Sequence, residues 1–354
     1  MKTKLLIAVS TVIIAIVVKQ VFFPTVSTKP LDRAWAVIDG VNFVGMTVSD
    51  IESSAALYSS AADLSAVASD GIGNELSIAL KIDDSINIKS RLMRSVNTQL
   101  LFMQFNSEQG DALQQSPVPV NGPGIAHVCY QVNAVTGSYQ KFLKGGASTM
   151  GNPEMVKLNP KNPVSYAYAK DPDGIMFEVE HVDVAALNLP EPPKNDYRIR
   201  HVSISTTDMD RIVKFYSVLL EEPNPRRAGR FFGFSNEKID MVSGLDESKI
   251  KMSWFQVRNL EFEIIEYVSH PTEVPAEPRP LDALGYNMIV FDVKDINKAR
   301  SLFEKAGGKI VSDIVPMLGG NIVFGRDPDG NLIGLQKVVS TSVVSSKNFS
   351  GNGI

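Results

Sequence analysis

Short stretches of alternating apolar and polar residues recur along the chain. Residues 41–48 and 199–205 alternate as half-buried strands do, and residues 125–132 and 286–293 open two further segments of the same kind. Each early strand leads into a helix with an acidic or hydroxyl start, Ser49-Asp50 in one case and Thr207-Asp208 in the other. After Asp295, residues Ile296, Ala299, Leu302 and Phe303 fall on one apolar stripe, and Gly307 is placed to end that helix. Asp171-Pro172-Asp173-Gly174 carries Pro at i+1 and Gly at i+3, the preferences of a type I turn, and feeds a last strand at residues 175–180.

The pattern is duplicated. The same Asp-Pro-Asp-Gly turn returns at residues 327–330, 156 positions later, and residues 43–50 match residues 201–208 at an offset of 158. Two nearly equal offsets mean that half of the chain is repeated. Each half divides again, giving four strand–helix–strands units at residues 38–106, 123–183, 197–270 and 284–340, grouped in sequence as two domains, 38–183 and 197–340. Proline-rich connectors at residues 117–123, 190–193 and 271–280 separate the units. Residues 341–354, rich in Ser, Asn and Gly, are expected to be disordered.

The N-terminus differs from the rest. Lys2 and Lys4 precede an apolar run at residues 5–18, followed by Lys19, Gln20 and Val21-Phe22-Phe23. A run of 14 residues has signal-peptide length, whereas a spanning helix needs about 20. Residues 1–30 therefore read as a leader and linker, either an uncleaved hydrophobic anchor helix or a cleaved signal peptide. Positive charge ahead of the run directs the body outside the cytoplasm, on the periplasmic side of an inner membrane or released from it. Composition adds exclusions. Hydrophobic residues at 44% and charged residues at 21% fit a soluble globular body. A net charge of −4 with scattered Lys and Arg excludes a nucleic-acid binder. Cys129, the single cysteine, leaves no internal disulfide.

A strand–helix–strands unit ending in this turn and Phe177-Glu178-Val179-Glu180, repeated four times, resembles the vicinal oxygen chelate superfamily of glyoxalases, bleomycin-resistance proteins and extradiol dioxygenases. Residues 124–132, 171–180 and 198–208 carry the resemblance most clearly, and it extends from about residue 38 to about residue 340. It implies an α+β fold of four βαβββ modules forming two curved mixed β-sheets, each lined by one ligand from the first and one from the last strand of a module.

Strand parity tests which side chains face the cavities independently of the family. Val128, Tyr130 and Val132 form the packing side of their strand, so His127, Cys129 and Gln131 face away. By the same parity His201, Glu178, Glu180 and Glu263 face inward, while Glu266 does not. The outer modules offer Phe43 with either Leu101 or Gln104, and Met288 with Gly334. Resemblance to fused glyoxalase I proteins implies that modules two and three pair, which collects His127, Glu178, His201 and Glu263 as metal ligands. Pairing one with two and three with four would instead group Gln104 with His127 and Glu178, leaving His201 with Glu263.

Two imidazoles and two carboxylates suit a divalent Zn, Ni, Mn, Fe or Co ion. The resemblance then implies a lyase or isomerase acting on a small substrate with vicinal oxygens through an enediolate-like intermediate, with Glu178 or Glu263 as catalytic base. Met288 and Gly334 cannot supply a module-four iron site, which argues against ring-cleaving dioxygenase chemistry. The alternative is a metal-free binding protein whose outer modules enclose an apolar cavity. Arg226, Arg227 and Arg230 stand as candidates to hold an anionic substrate tail or, more simply, as a solvated loop.

Overall fold

The computed structural model of the protein describes residues 33–67, 71–107, 116–159 and 161–354. The predicted leader at residues 1–30 lies outside them. Among the described residues, no helix is long and apolar enough to cross a membrane.

The alternating segments open four successive groups of strands and helices. Their principal strands are β1 (Ile38–Thr47), β2 (Ile86–Arg94) and β3 (Gln99–Ser107), then β4 (Gly124–Asn133), β5 (Asn162–Lys170) and β6 (Met176–Val182). The second half supplies β7 (Tyr197–Ser205), β8 (Lys249–Gln256) and β9 (Glu261–Tyr267), then β10 (Gly285–Val293), β11 (Gly320–Arg326) and β12 (Leu332–Val338). Helices α1 (Ile51–Ala62), α3 (Ser138–Lys144), α4 (Met209–Leu219) and α5 (Ile296–Ala306) follow the first strands, and α2 (Ile72–Leu80) is an insertion in module one. Three of these helices begin at aspartate caps. Asp50 accepts from the Ser53 N–H at 2.7 Å, Asp208 from Arg211 at 3.0 Å and Asp295 from Lys298 at 3.0 Å.

Pairing is crossed. One mixed sheet runs β11-β12-β10-β1-β3-β2 and joins modules four and one, while the other runs β8-β9-β7-β4-β6-β5 and joins modules three and two. Residues 38–183 and 197–340 are therefore sequence repeats, but neither half forms a sheet of its own. The reason lies in the central seams: β4 pairs antiparallel with β7, and β1 with β10, each across the two halves.

The helix-bearing faces of both sheets contribute to one apolar core, which includes Val44, Tyr58, Tyr130, Phe142, Val202, Phe215, Phe291 and Phe303. The crossing is also polar. The Tyr58 hydroxyl of α1 donates to Asp171 Oδ2 in the module-two turn at 2.9 Å, and Tyr216 of α4 donates to Asp327 in the module-four turn at 2.8 Å. Burial pushes the Asp171 carboxyl up to about 7 and Asp327 up to about 6.

The opposite face of the module one–four sheet is filled. Phe43, Leu101, Met288, Val290 and Phe324 pack there against Ile72 and Leu76 of α2, all buried. The inserted helix thus occupies the space where an apolar ligand cavity was the alternative expectation. Phe43→Ala is expected to cost about 3–5 kcal/mol, as truncation of a buried aromatic does. Urea unfolding would show it; a loss under about 1 kcal/mol would mean that this face is not close-packed.

The tail departs from expectation as well. Residues 341–354 are ordered, with Val344 and Phe349 buried. The Ser346 N–H donates to Asn42 Oδ1 at 2.8 Å and its hydroxyl to Asp292 at 2.7 Å. Arg258 donates to the Phe349 carbonyl at 2.7 Å, and Arg198 to that of Asn352 at 2.9 Å. Composition predicts disorder where apolar burial is the only drive for order; here buried side chains of the two sheets satisfy the tail's backbone.

Candidate metal centre

The two-fold character of the module two–three sheet builds the site. On the central seam His127 of β4 lies opposite Ser203 of β7, and His201 lies opposite Cys129. On the outer side of each of these strands the parallel partner places Glu178 of β6 beside Cys129 and Glu263 of β9 beside Ser203. Each carboxylate therefore stands beside the residue two positions after its module's histidine. All four side chains project from the same face.

They converge. His127 Nε2 lies 3.2 Å from His201 Nε2 and 3.2 Å from Glu178 Oε2. His201 Nε2 lies 3.1 Å from Glu178 Oε2 and 3.3 Å from Glu263 Oε2, and His127 Nε2 is 3.6 Å from Glu263 Oε2. One atom from each of the four lies within 4.8 Å of every other. Ligands bound at about 2.1 Å stand about 3.0–3.4 Å apart at adjacent positions, so the donor set and its spacing fit one divalent cation. The four are at most 5% exposed.

Electrostatics favour the same grouping. Burial opposes ionisation of Glu178, but hydrogen bonds and charge from His127 and His201 outweigh it and hold the carboxyl well below its usual range. For His201, burial opposes protonation, while Glu263 and Glu178 more than offset it and raise the imidazole. Two acidic groups packed against two imidazoles form a site that a cation satisfies without unpaired charge. Neither imidazole Nδ1 has a hydrogen-bond partner among the described residues. Ring packing supplies orientation instead, with Tyr168 centred 5.1 Å from His127.

The other candidates fall elsewhere. Applying the ligand register to module one sets Gly45 beside Leu101, so Leu101 and not Gln104 is the equivalent of Glu178. Gln104 belongs to the other sheet, where its Oε1 accepts from the Ile51 N–H at 3.2 Å, which removes it as a ligand. In module four the same register sets Val290 beside Gly334, leaving Met288 and Gly334 at the ligand positions. Glu266 points away and pairs with Lys251 at 3.1 Å. Burial raises the Cys129 thiol, as expected of an inert cysteine. Arg226 pairs with Glu261 at 3.1 Å and Arg227 with Asp210 at 2.7 Å, so both are held by carboxylates.

Sequence parity missed two features. Arg200 pairs with Glu180 and lies 3.5 Å from Glu261, forming a charged row beside the four ligands. A register shift between Ile199 and His201 breaks the alternation at Arg200 and hides it. Trp254, nine positions before Glu263, pairs with it across the sheet and donates from Nε1 to Glu263 Oε1 at 2.7 Å. Its parity was readable, but an indole is no metal ligand and gave no reason to look.

Comparison with known proteins fits this architecture. The sequence profile of the Glyoxalase/Bleomycin resistance protein/Dioxygenase superfamily matches residues 198–335. Among solved structures, glyoxalase I from Zea mays is similar at a TM-score of 0.57 and 16% identity, covering 84% of this chain and 92% of that one. A point mutant of the same maize enzyme gives 0.58 and 15%, over the same 84% and 92%. At these identities the likeness shows the fold. The curated proteins contain no match to the sequence. Residues 198–335 thus match the Glyoxalase/Bleomycin resistance protein/Dioxygenase superfamily in sequence, and the chain as a whole shares the fold of glyoxalase I.

Proposed function

We propose that the protein is a metal-dependent lyase or isomerase of glyoxalase type, acting on a small substrate with two neighbouring oxygens. The observation that carries this reading is the convergence of His127, Glu178, His201 and Glu263 on one buried point. A divalent cation held there would polarise both substrate oxygens and acidify the adjoining C–H. The protein's own part is then to move a proton. Glu178 and Glu263, each with one oxygen facing the imidazoles and a second oxygen directed elsewhere, are the groups able to take it from one carbon and return it to the next. Burial excludes water that would compete for that proton.

The leader supports a body outside the cytoplasm, since Lys2 and Lys4 precede the apolar run at residues 5–18. Glutathione is scarce there, which directs attention to free α-hydroxycarbonyl compounds and not to glutathione adducts. Among the described residues, α2 packs the face on which the metal-free alternative placed its apolar cavity, which favours the metal-dependent reading.

A proton-exchange assay tests the reading. Protein loaded with Mn(II) or Ni(II) is expected to exchange the carbon-bound proton of a small α-hydroxycarbonyl compound with D2O, followed by NMR. Chelator should stop the exchange, and Glu178→Gln with Glu263→Gln should lower it by about 100-fold or more. If metal-loaded protein exchanges none of a panel of such compounds, the proposed reaction is wrong.

A further inference from the structure

The two carboxylates of the site are equivalent by repeat but not by environment. Across the sheet, Trp254 of β8 pairs with Glu263, and Tyr168 of β5 pairs with Glu178, at corresponding positions of the two modules. The indole N–H donates to Glu263 Oε1 at 2.7 Å, while Oε2 of the same carboxylate faces the imidazoles. The indole is itself held. Arg226 lies over its ring at 4.4 Å and pairs with Glu261 at 3.1 Å. Glu178 has no matching support. Its Oε2 faces both imidazoles, and among the described residues no hydrogen bond joins Tyr168 to it, the phenol ring packing on His127 instead.

This difference has a mechanical meaning. An indole N–H can only donate, so it suits an ionised carboxylate oxygen and gains nothing from a protonated one. Glu263, anchored through its outer oxygen, keeps its place whatever its inner oxygen faces. Glu178, which contacts its partners among the described residues through the inner oxygen, is free to turn when that contact is released. We propose that Trp254 is a positioning residue that makes Glu263 the permanent metal ligand, leaving Glu178 as the carboxylate that leaves the cation and carries the substrate proton. In that step a C–H bond breaks with its electron pair left on the substrate and an O–H bond forms on Glu178; the same proton then returns to the neighbouring carbon, while the substrate's hydroxyl proton passes from one of its two oxygens to the other. No oxidant or reductant is consumed. The proposal rests on the metal-dependent reading above and deepens it.

Co(II) serves as the probe, because its visible absorption reports the ligand arrangement as well as its binding. Trp254→Phe keeps an aromatic ring beside Arg226 while removing the N–H together with part of the indole. It is expected to weaken Co(II) binding about 10–100-fold, the usual cost of losing an outer hydrogen bond to a ligand, and to shift the absorption bands. Glu263→Gln should cost at least about 10-fold more Co(II) affinity than Glu178→Gln, since the permanent ligand contributes more to holding the ion than the mobile one. If the wild type binds Co(II) but Glu178→Gln costs as much affinity as Glu263→Gln, or Trp254→Phe leaves affinity and spectrum unchanged, the proposal is overturned and the metal site stands. If Trp254→Phe does not fold, the two glutamate variants decide. A wild type that binds no Co(II) removes the metal-dependent reading itself, and the proposal with it.

Discussion

Alanine at both His127 and His201 is expected to abolish retention of a divalent metal through dialysis. Each histidine contributes one of the four converging atoms. Loss of either alone should weaken binding by about 100-fold, close to 3 kcal/mol, and loss of both should leave only two carboxylates. Those carboxylates bring a second effect. Glu178 and Glu263 are buried, and the imidazoles are the groups that face their inner oxygens. Without them, two acids stand side by side in a poorly hydrated place, and the folded state should lose about 3–5 kcal/mol. Adding Glu178→Gln to the double variant should recover part of that stability without restoring metal, which separates charge burial from coordination. Metal content by mass spectrometry and urea midpoints together check this. Unchanged metal content in the double variant would show that the ion, if bound, sits elsewhere.

The second large effect is expected at Asp171, in the module-two turn and not among the four converging residues. Its folded value is pushed up to about 7 by burial, against about 3.9 for an unfolded chain. A raised carboxyl favours the protonated form in the folded state, so folding takes up protons between those two values. The contribution to stability is therefore complete below about pH 4 and is lost as pH rises through about 7, by as much as about 4 kcal/mol. Asp171→Asn keeps an oxygen for the Asp173 and Ile175 N–H groups that Asp171 Oδ1 now serves, and it cannot ionise. Relative to the wild type, the variant should gain stability between pH 4.5 and pH 7.5. Paired urea titrations at the two pH values measure the gain directly. A wild-type-to-variant difference that stays constant with pH would contradict the account. Asp327, pushed to about 6, should show the same behaviour with a smaller amplitude.

Much of this architecture was legible in the alternation of side chains. His127, Glu178, His201 and Glu263 could be assigned to one face because strand parity holds locally at each of them, the slips in β7 falling before His201 and after Ser203. Parity states which way a side chain points, not which strand lies alongside, so it could not choose between crossed and sequential pairing. It also failed where the count slips. The register shift beside Arg200 concealed a charged neighbour of the site. In module one the insertion that carries α2 left Leu101 and Gln104 as rival positions until the pairing of Gly45 with Leu101 settled the matter. The tail was misjudged for a different reason. Its Ser and Asn residues carry little apolar drive, and what orders them is a set of distant partners, Asn42, Asp292, Arg198 and Arg258, that no local pattern reveals.

The crossed seams change what the connector between the halves does. A fragment ending near residue 183 would hold one module of each sheet and complete neither, because β4 needs β7 and β1 needs β10. Such a fragment and its complement beginning near residue 197 would, however, together carry everything required to rebuild both sheets. Residues 188–196 are then a tether and not a border: they hold one half at high local concentration around the other. An arrangement of this kind is what fusing the two partners of an intertwined homodimer into one chain would leave behind, with one seam free to trade its ligands for Phe43 and Met288 while the other kept its histidines.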